Sequence, residues 1–128
     1  MRKSILFLLG VALLGMTTSG CVALLAGAAG GAGTAVWLSN KLTQDVDKSM
    51  EKSLSAVKAA MSSLKLKITK ETVKDEVAQI VGEYYDGKTI WIDVHRVTAS
   101  SSKIDLRVGM AGDEEAARKI MDAILKKL

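Results

Sequence analysis

The sequence predicts an α+β fold: a two-layer sandwich ordered helix, four-stranded antiparallel meander, helix. Three observations predict it. Apolar residues recur at helical steps in two stretches, Met50 to Leu64 and Ala117 to Leu128. Between them the apolar period drops to two, the spacing of half-buried strands. Asp86-Gly87 separates two of these alternating runs, the composition of a hairpin turn.

Taken in order, the chain begins with a segment unlike the rest. Its first 38 residues carry only Arg2 and Lys3 as charges, whereas the remainder is densely charged. Arg2 and Lys3 form a basic start, Ile5 to Met16 an apolar stretch, and Thr17-Thr18-Ser19-Gly20 a small-residue stretch ending at Cys21. That is the plan of a secretory signal. Small residues followed directly by cysteine resemble the lipobox of bacterial lipoproteins, with Thr18 where leucine is usual. The resemblance implies cleavage before Cys21, a diacylglycerol on its sulfur and acylation of the new amino terminus. A plain signal cut after Ala26-Gly27-Ala28 and an uncleaved anchor are the alternatives. A single helix from Ile5 to Leu38 would run to about 51 Å against a hydrocarbon core of roughly 30 Å, which favours cleavage.

Residues 21–38 continue as an apolar Ala/Gly-rich segment with no charge. Gly27 and Gly31 are four apart, so a helix here would carry a small-residue face that packs closely in lipid. The competing reading is a low-complexity tether, because Gly27, Gly30, Gly31 and Gly33 weaken a helix outside a membrane. The expected division is thus a signal peptide at 1–20, a membrane-proximal segment at 21–38 and a small domain at 39–128.

Within that domain the first question is Val36 to Val46. Val36, Leu38, Leu42, Gln44 and Val46 partly alternate, which fits an extra N-terminal edge strand or a helical extension, and as a strand the segment could cover the outer sheet face. Met50, Leu54, Val57, Met61 and Leu64 then stripe a helix capped by Asp45 or Asp47. Leu64, Leu66 and Ile68 begin a strand, and KETVKDE is a polar connection. EVAQIVGEYY and KTIWIDVHRV flank the hairpin. Only a three-residue turn with Gly87 in the left-handed position pairs Ile80 with Ile92 and Ala78 with Val94, so that both apolar sets share one face. Gly82 then lies opposite Ile90. TASSS turns into KIDLRVG, whose Ile104, Leu106 and Val108 point inward. Pairing Asp93 with Arg107 and His95 with Asp105 would match opposite charges outside. The last helix opens at Asp113-Glu114-Glu115, with Lys126 and Lys127 at its other end, as the helix dipole prefers. Ala117, Ile120, Met121, Ile124 and Leu128 form its apolar stripe.

Cys21, the Ala/Gly-rich run, a helix, a meander and the ending RVGMAGDEEAARKIMDAI together resemble a family of small bacterial lipoproteins of unknown function. The resemblance covers nearly all of the mature chain, and Arg107-Val108-Gly109 and Gly112-Asp113 carry it most specifically. It implies the anchor and the domain, and no activity.

Chemistry is sparse. His95 is the only histidine and Cys21 the only cysteine, so no catalytic or metal constellation is expected: no enzyme, no cofactor, no metal. His95 reads as a strand histidine bonded to a carboxylate. A net charge of +4, two units of it in the leader, with both signs interspersed, excludes a nucleic-acid protein. Val77, Val81, Trp91 and Val97 fall on the sheet face away from the helices, among Gln79, Asp93, His95 and Arg107, and Val77, Val81, Trp91 and Arg107 have the composition of a contact patch. The expected role is a lipid-anchored binding or scaffolding module of the bacterial cell envelope, with an envelope protein as partner. The alternative is a membrane-associated homo-oligomer packed through Gly27 and Gly31. Val22 after the cysteine points to the outer membrane, facing the periplasm, if the host sorts lipoproteins by aspartate at that position.

Overall fold

The computed structural model describes residues 35–128, in which six strands and two helices form one antiparallel sheet with helices on one face. In chain order the elements are β1 (Val36–Leu38), β2 (Lys41–Val46), α1 (Met50–Ser63), β3 (Lys67–Val73), β4 (Val77–Glu83), β5 (Thr89–Arg96), β6 (Ser102–Val108) and α2 (Glu114–Lys126). Across the sheet the strands run β1-β2-β6-β5-β4-β3. The α+β class and the β3–β6 meander therefore stand, while the four-strand count does not.

The additional strands come from the segment that partly alternates. Ser39 and Asn40 both adopt left-handed backbone angles (φ 53° and 64°) and fold β1 tightly onto β2. A turn with positive φ at both central residues matches strand twist, and asparagine tolerates it better than most residues. Val36–Leu38, grouped by composition with the apolar segment, belongs to this hairpin. The hairpin does not cover the outer face of the sheet; it extends the sheet edgewise by pairing β2 with β6. Consequently α1 starts beside one edge of the sheet and delivers the chain to β3 at the other.

The core lies between the sheet and the helices. Leu42, Leu106, Ile92 and Ile80 stand opposite one another across four strands, and each is fully buried. Val57, Ala60 and Met61 of α1 and Ala117, Ile120, Met121 and Ile124 of α2 close over that row. Fully burying each large aliphatic side chain stabilises by about 1.5–3 kcal/mol.

Several local expectations change. Ser49, rather than Asp45 or Asp47, caps α1: its side chain accepts from the Lys52 N–H at 3.2 Å. Asp45 is committed to β2, opposite Lys103. Leu64 is the C-cap and Lys65 turns left-handed (φ 57°), so β3 begins only at Lys67. β3 then runs through Lys70–Val73, which the sequence presents as a connection. Its polar composition follows from its edge position, where lysines discourage pairing with other chains.

The β4–β5 hairpin has the expected bulged turn: Ala78 pairs with Val94, Ile80 with Ile92, Gly82 with Ile90, and Gly87 has φ 88°. The β5–β6 register is two residues away from the charge-matched one. Asp93 faces Asp105, His95 faces Lys103 and Trp91 faces Arg107. Packing explains the difference. The observed register stacks Ile90 on Val108, Ile92 on Leu106 and Val94 on Ile104; the charge-matched one would set Ile104 opposite Arg96. Aliphatic burial outweighs the fraction of a kcal/mol available from exposed charge pairs.

Candidate functional site

Strand alternation leaves one face of the sheet without a helix. Thr43 on β2, Asp105 on β6, Asp93 on β5, Gln79 on β4 and Thr72 on β3 form one row across it. The neighbouring row contains Arg107, Trp91, Val81 and Lys70. Val77 lies opposite His95, in the row on the other side of Gln79 and Asp93 from Trp91. The structure thus brings Val77, Val81, Trp91 and Arg107 onto a common face, all half-buried. Cys21, Gly27 and Gly31 lie outside the described residues.

Two shallow hollows mark this face. One, of about 250 Å³, is bounded by Ser39, Lys41, Trp91, Asp105 and Arg107. The other, of about 280 Å³, lies by Thr72, Lys74 and Val77. Gln79 and Asp93 line both, and the Gln79 amide donates to the Asp93 carboxylate at 2.9 Å.

The polar centre is Asp105, whose side chain is only 11% exposed. It accepts a hydrogen bond from Thr43 Oγ1 at 2.8 Å, and His95 Nε2 and Lys41 Nζ approach it at 3.2 and 3.6 Å. His95 therefore does meet a carboxylate, although Lys103 is its direct cross-strand neighbour. Lys41 and Thr43 were missed as members of this face. The signal was the alternation KLTQDV, which sets Lys41, Thr43 and Asp45 on the side opposite Leu42, Gln44 and Val46.

Arg107 lies over Trp91, with its guanidinium carbon 4.4 Å from the ring centroid. Contacts of this kind contribute about 0.5–1 kcal/mol at exposed sites and restrain the side chain over the ring. Val97 is 59% exposed, beyond the end of β5. Among the described residues, no group of three His, Cys, Asp or Glu side chains is arranged to hold a metal ion. Nor is any described helix long and apolar enough to cross a membrane.

A family model described as "Protein of unknown function (DUF3568)" matches residues 4–127. The chain belongs to this family. The DUF3568 match begins inside the apolar leader and ends in the last residues of the chain, so the family's shared sequence includes the N-terminal third as well as the sheet domain. No curated protein matches the chain.

On this face Asp105 is paired and Arg107 lies against Trp91. Its carboxylates already accept hydrogen bonds, and its histidine is tied to one of them. What the face offers is an aromatic ring, two valines and polar groups held at fixed spacings by strands.

Proposed function

We propose that this protein is a lipid-anchored component of the bacterial cell envelope, held by an acylated Cys21, whose domain binds or scaffolds another envelope protein through the open sheet face. The observation that carries the binding role is that face: Val81, Trp91 and Arg107 lie in cross-strand register on the side away from both helices, half-buried and uncovered by any described element. Burying tryptophan and arginine in a contact gains more than burying most other residues, because both combine large area with a polar handle. The anchor is supported by the basic start, the apolar stretch and the small residues ending at Cys21. Val22 after the cysteine supports placement in the outer membrane, facing the periplasm.

The binding role is tested by site-specific crosslinking from this face in intact cells. Trp91→Ala combined with Val81→Ser should remove the crosslinked species while circular dichroism stays unchanged. Persistence of the same species in the variant overturns the proposal. The anchor is tested separately by the intact mass of the mature protein: Cys21→Ala should abolish both cleavage and the added lipid mass.

A further inference from the structure

The structure describes three arginines, and two of them have found oxygen. Arg96 donates to Glu51 and to the Asp75 carbonyl, and Arg118 pairs with Glu114. Arg107 has neither a hydrogen bond nor an ion pair among the described residues; its one contact of this kind is the Trp91 ring. The nearby carboxylates are engaged elsewhere. Asp105 is taken by Thr43, His95 and Lys41, and Asp93 by Gln79.

Stacking on Trp91 occupies one face of the guanidinium and leaves its edge, where the N–H donors project. Lys41 lines the same hollow. A flat, pre-oriented fork in a shallow hollow matches a carboxylate, which accepts two parallel N–H bonds from it. Holding the fork against the ring beforehand also reduces the side-chain entropy lost on binding.

We propose that Arg107 reads the carboxylate of an acidic side chain in a peptide segment of the partner, with Trp91 and Val81 contacting the aliphatic part of that segment. This rests on the reading of the open face as a partner surface. The charge pattern selects a peptide over an anionic membrane. Asp93 and Asp105 lie in the row beside Arg107, among Lys41, Lys70 and Lys103, so the face alternates in sign and suits one carboxylate with neighbouring donors better than a continuous sheet of negative headgroups. A single carboxylate in the hollow also faces Asp93 and Asp105, whose charges are already met by Gln79 and by Thr43, His95 and Lys41, and peptide N–H groups around it supply a further donor to Asp93.

The test uses the full chain in detergent micelles and follows the Arg107 Nε–H and Trp91 indole N–H signals by NMR. The probe is the peptide acetyl-Ala-Val-Glu-Val-Ala-amide, compared with its counterpart containing glutamine in place of glutamate. The glutamate peptide should shift both signals, and the glutamine peptide should bind at least about tenfold more weakly. Arg107→Lys, which keeps the charge but loses the fork and the stack, should also weaken binding about tenfold. Lys103→Gln, a change of charge on the same face, should alter it by less than about twofold. Equal binding of the two peptides overturns the proposal, as does equal weakening by Lys103→Gln. So does a larger shift of the Arg107 signal with phosphatidylglycerol vesicles than with the peptide. If Arg107→Lys keeps the cellular crosslinks that Trp91→Ala with Val81→Ser removes, carboxylate reading is rejected and the partner surface is retained.

Discussion

Asp93 and Asp105 face each other directly across β5 and β6, two carboxylates at paired positions in the middle of the open face. Like charges placed this way destabilise a sheet. The arrangement holds because each carboxylate has its own donors: Gln79 on β4 for Asp93, and Thr43 and Lys41 on β2 together with His95 on β5 for Asp105. Aliphatic packing on the opposite face sets the register, and the polar face adapts to it.

Thr43→Val tests that division. It keeps the shape of the side chain and removes the 2.8 Å hydrogen bond to a largely buried carboxylate. The expected loss is about 1.5–3 kcal/mol, the range for hydrogen bonds to charged groups. It should appear as a lower urea midpoint with an unchanged slope. Adding Asp105→Asn removes the charge repulsion and should recover part of the loss. A double variant as unstable as the sum of the singles would show that the two residues are not coupled.

Gly82 on β4 is crowded from two sides, by β3 and by Met61 of α1. A Cβ there would lie 2.6 Å from the Lys67 carbonyl oxygen and 2.6 Å from Met61 Cε. The methionine tip can move, but the backbone oxygen of the adjoining strand cannot do so without disturbing β3. Gly82→Ala is expected to destabilise by about 1–3 kcal/mol, as overpacking does. Met61→Leu in the same chain should recover little, because the carbonyl contact remains. Full rescue by that second change would mean that the side chain, not the strand, sets the limit.

How much of this was legible beforehand depended on whether a signal was local. The Gly87 turn, the β4–β5 register and the stripe of α2 follow from neighbouring residues, and the structure has them as expected. The β1–β2 hairpin was only half visible, because Ser39-Asn40 is a weaker turn signal than Asp86-Gly87 and β1 has three residues. β3 was expected but placed too early, from Leu64, because its second half, Lys70–Val73, is a polar edge run without clear alternation. The β5–β6 register was misjudged by weighting exposed charges over three buried aliphatic pairs. Asp105 is served instead by Thr43 on the adjoining β2, which no pairwise reading of the β5–β6 hairpin contains.

Acid should loosen the end of the molecule where α2 begins. Asp113 caps α2 by accepting from the Ala116 N–H, and Lys88 Nζ lies 3.0 Å from its carboxylate. These two contacts, the backbone bond first, hold its carboxyl below the usual range. Glu51 is likewise lowered, first by its hydrogen bond from Arg96. Both groups bind protons less readily in the folded chain than in the unfolded one. Their stabilisation is therefore complete above the ordinary carboxylate range, near about pH 4, and is lost as pH falls through the lower folded values. Asp113→Asn retains a capping oxygen but does not titrate. It should be less stable than the natural chain at neutral pH, where Lys88 loses a charged partner. It should also show a flatter fall in urea midpoint as the solution is acidified. Parallel pH profiles for the two proteins would place the acid sensitivity elsewhere.

A last prediction concerns the corner where β2 passes into α1. Ser53 on α1 and Ser102 at the start of β6 are both buried, and their hydroxyl oxygens lie 2.7 Å apart. Ser102 also donates to the Lys48 carbonyl at 2.9 Å, which leaves Ser53 as the donor between the two hydroxyls. The chain Ser53 to Ser102 to Lys48 thus ties the helix, the sheet and the connecting segment through two buried hydroxyls. Ser102→Ala leaves the Ser53 hydroxyl without its acceptor and the Lys48 carbonyl without its side-chain donor. The expected cost is about 1–3 kcal/mol, since an orphaned buried polar group loses its hydration without replacement. Ser53→Ala should cost less, because Ser102 keeps its bond to Lys48. The double variant Ser53→Ala with Ser102→Ala should be more stable than the sum of the single losses implies, because it no longer buries an unpaired hydroxyl. Denaturant unfolding of the four proteins measures that coupling, and additive losses would mean that the hydroxyl pair contributes nothing as a pair.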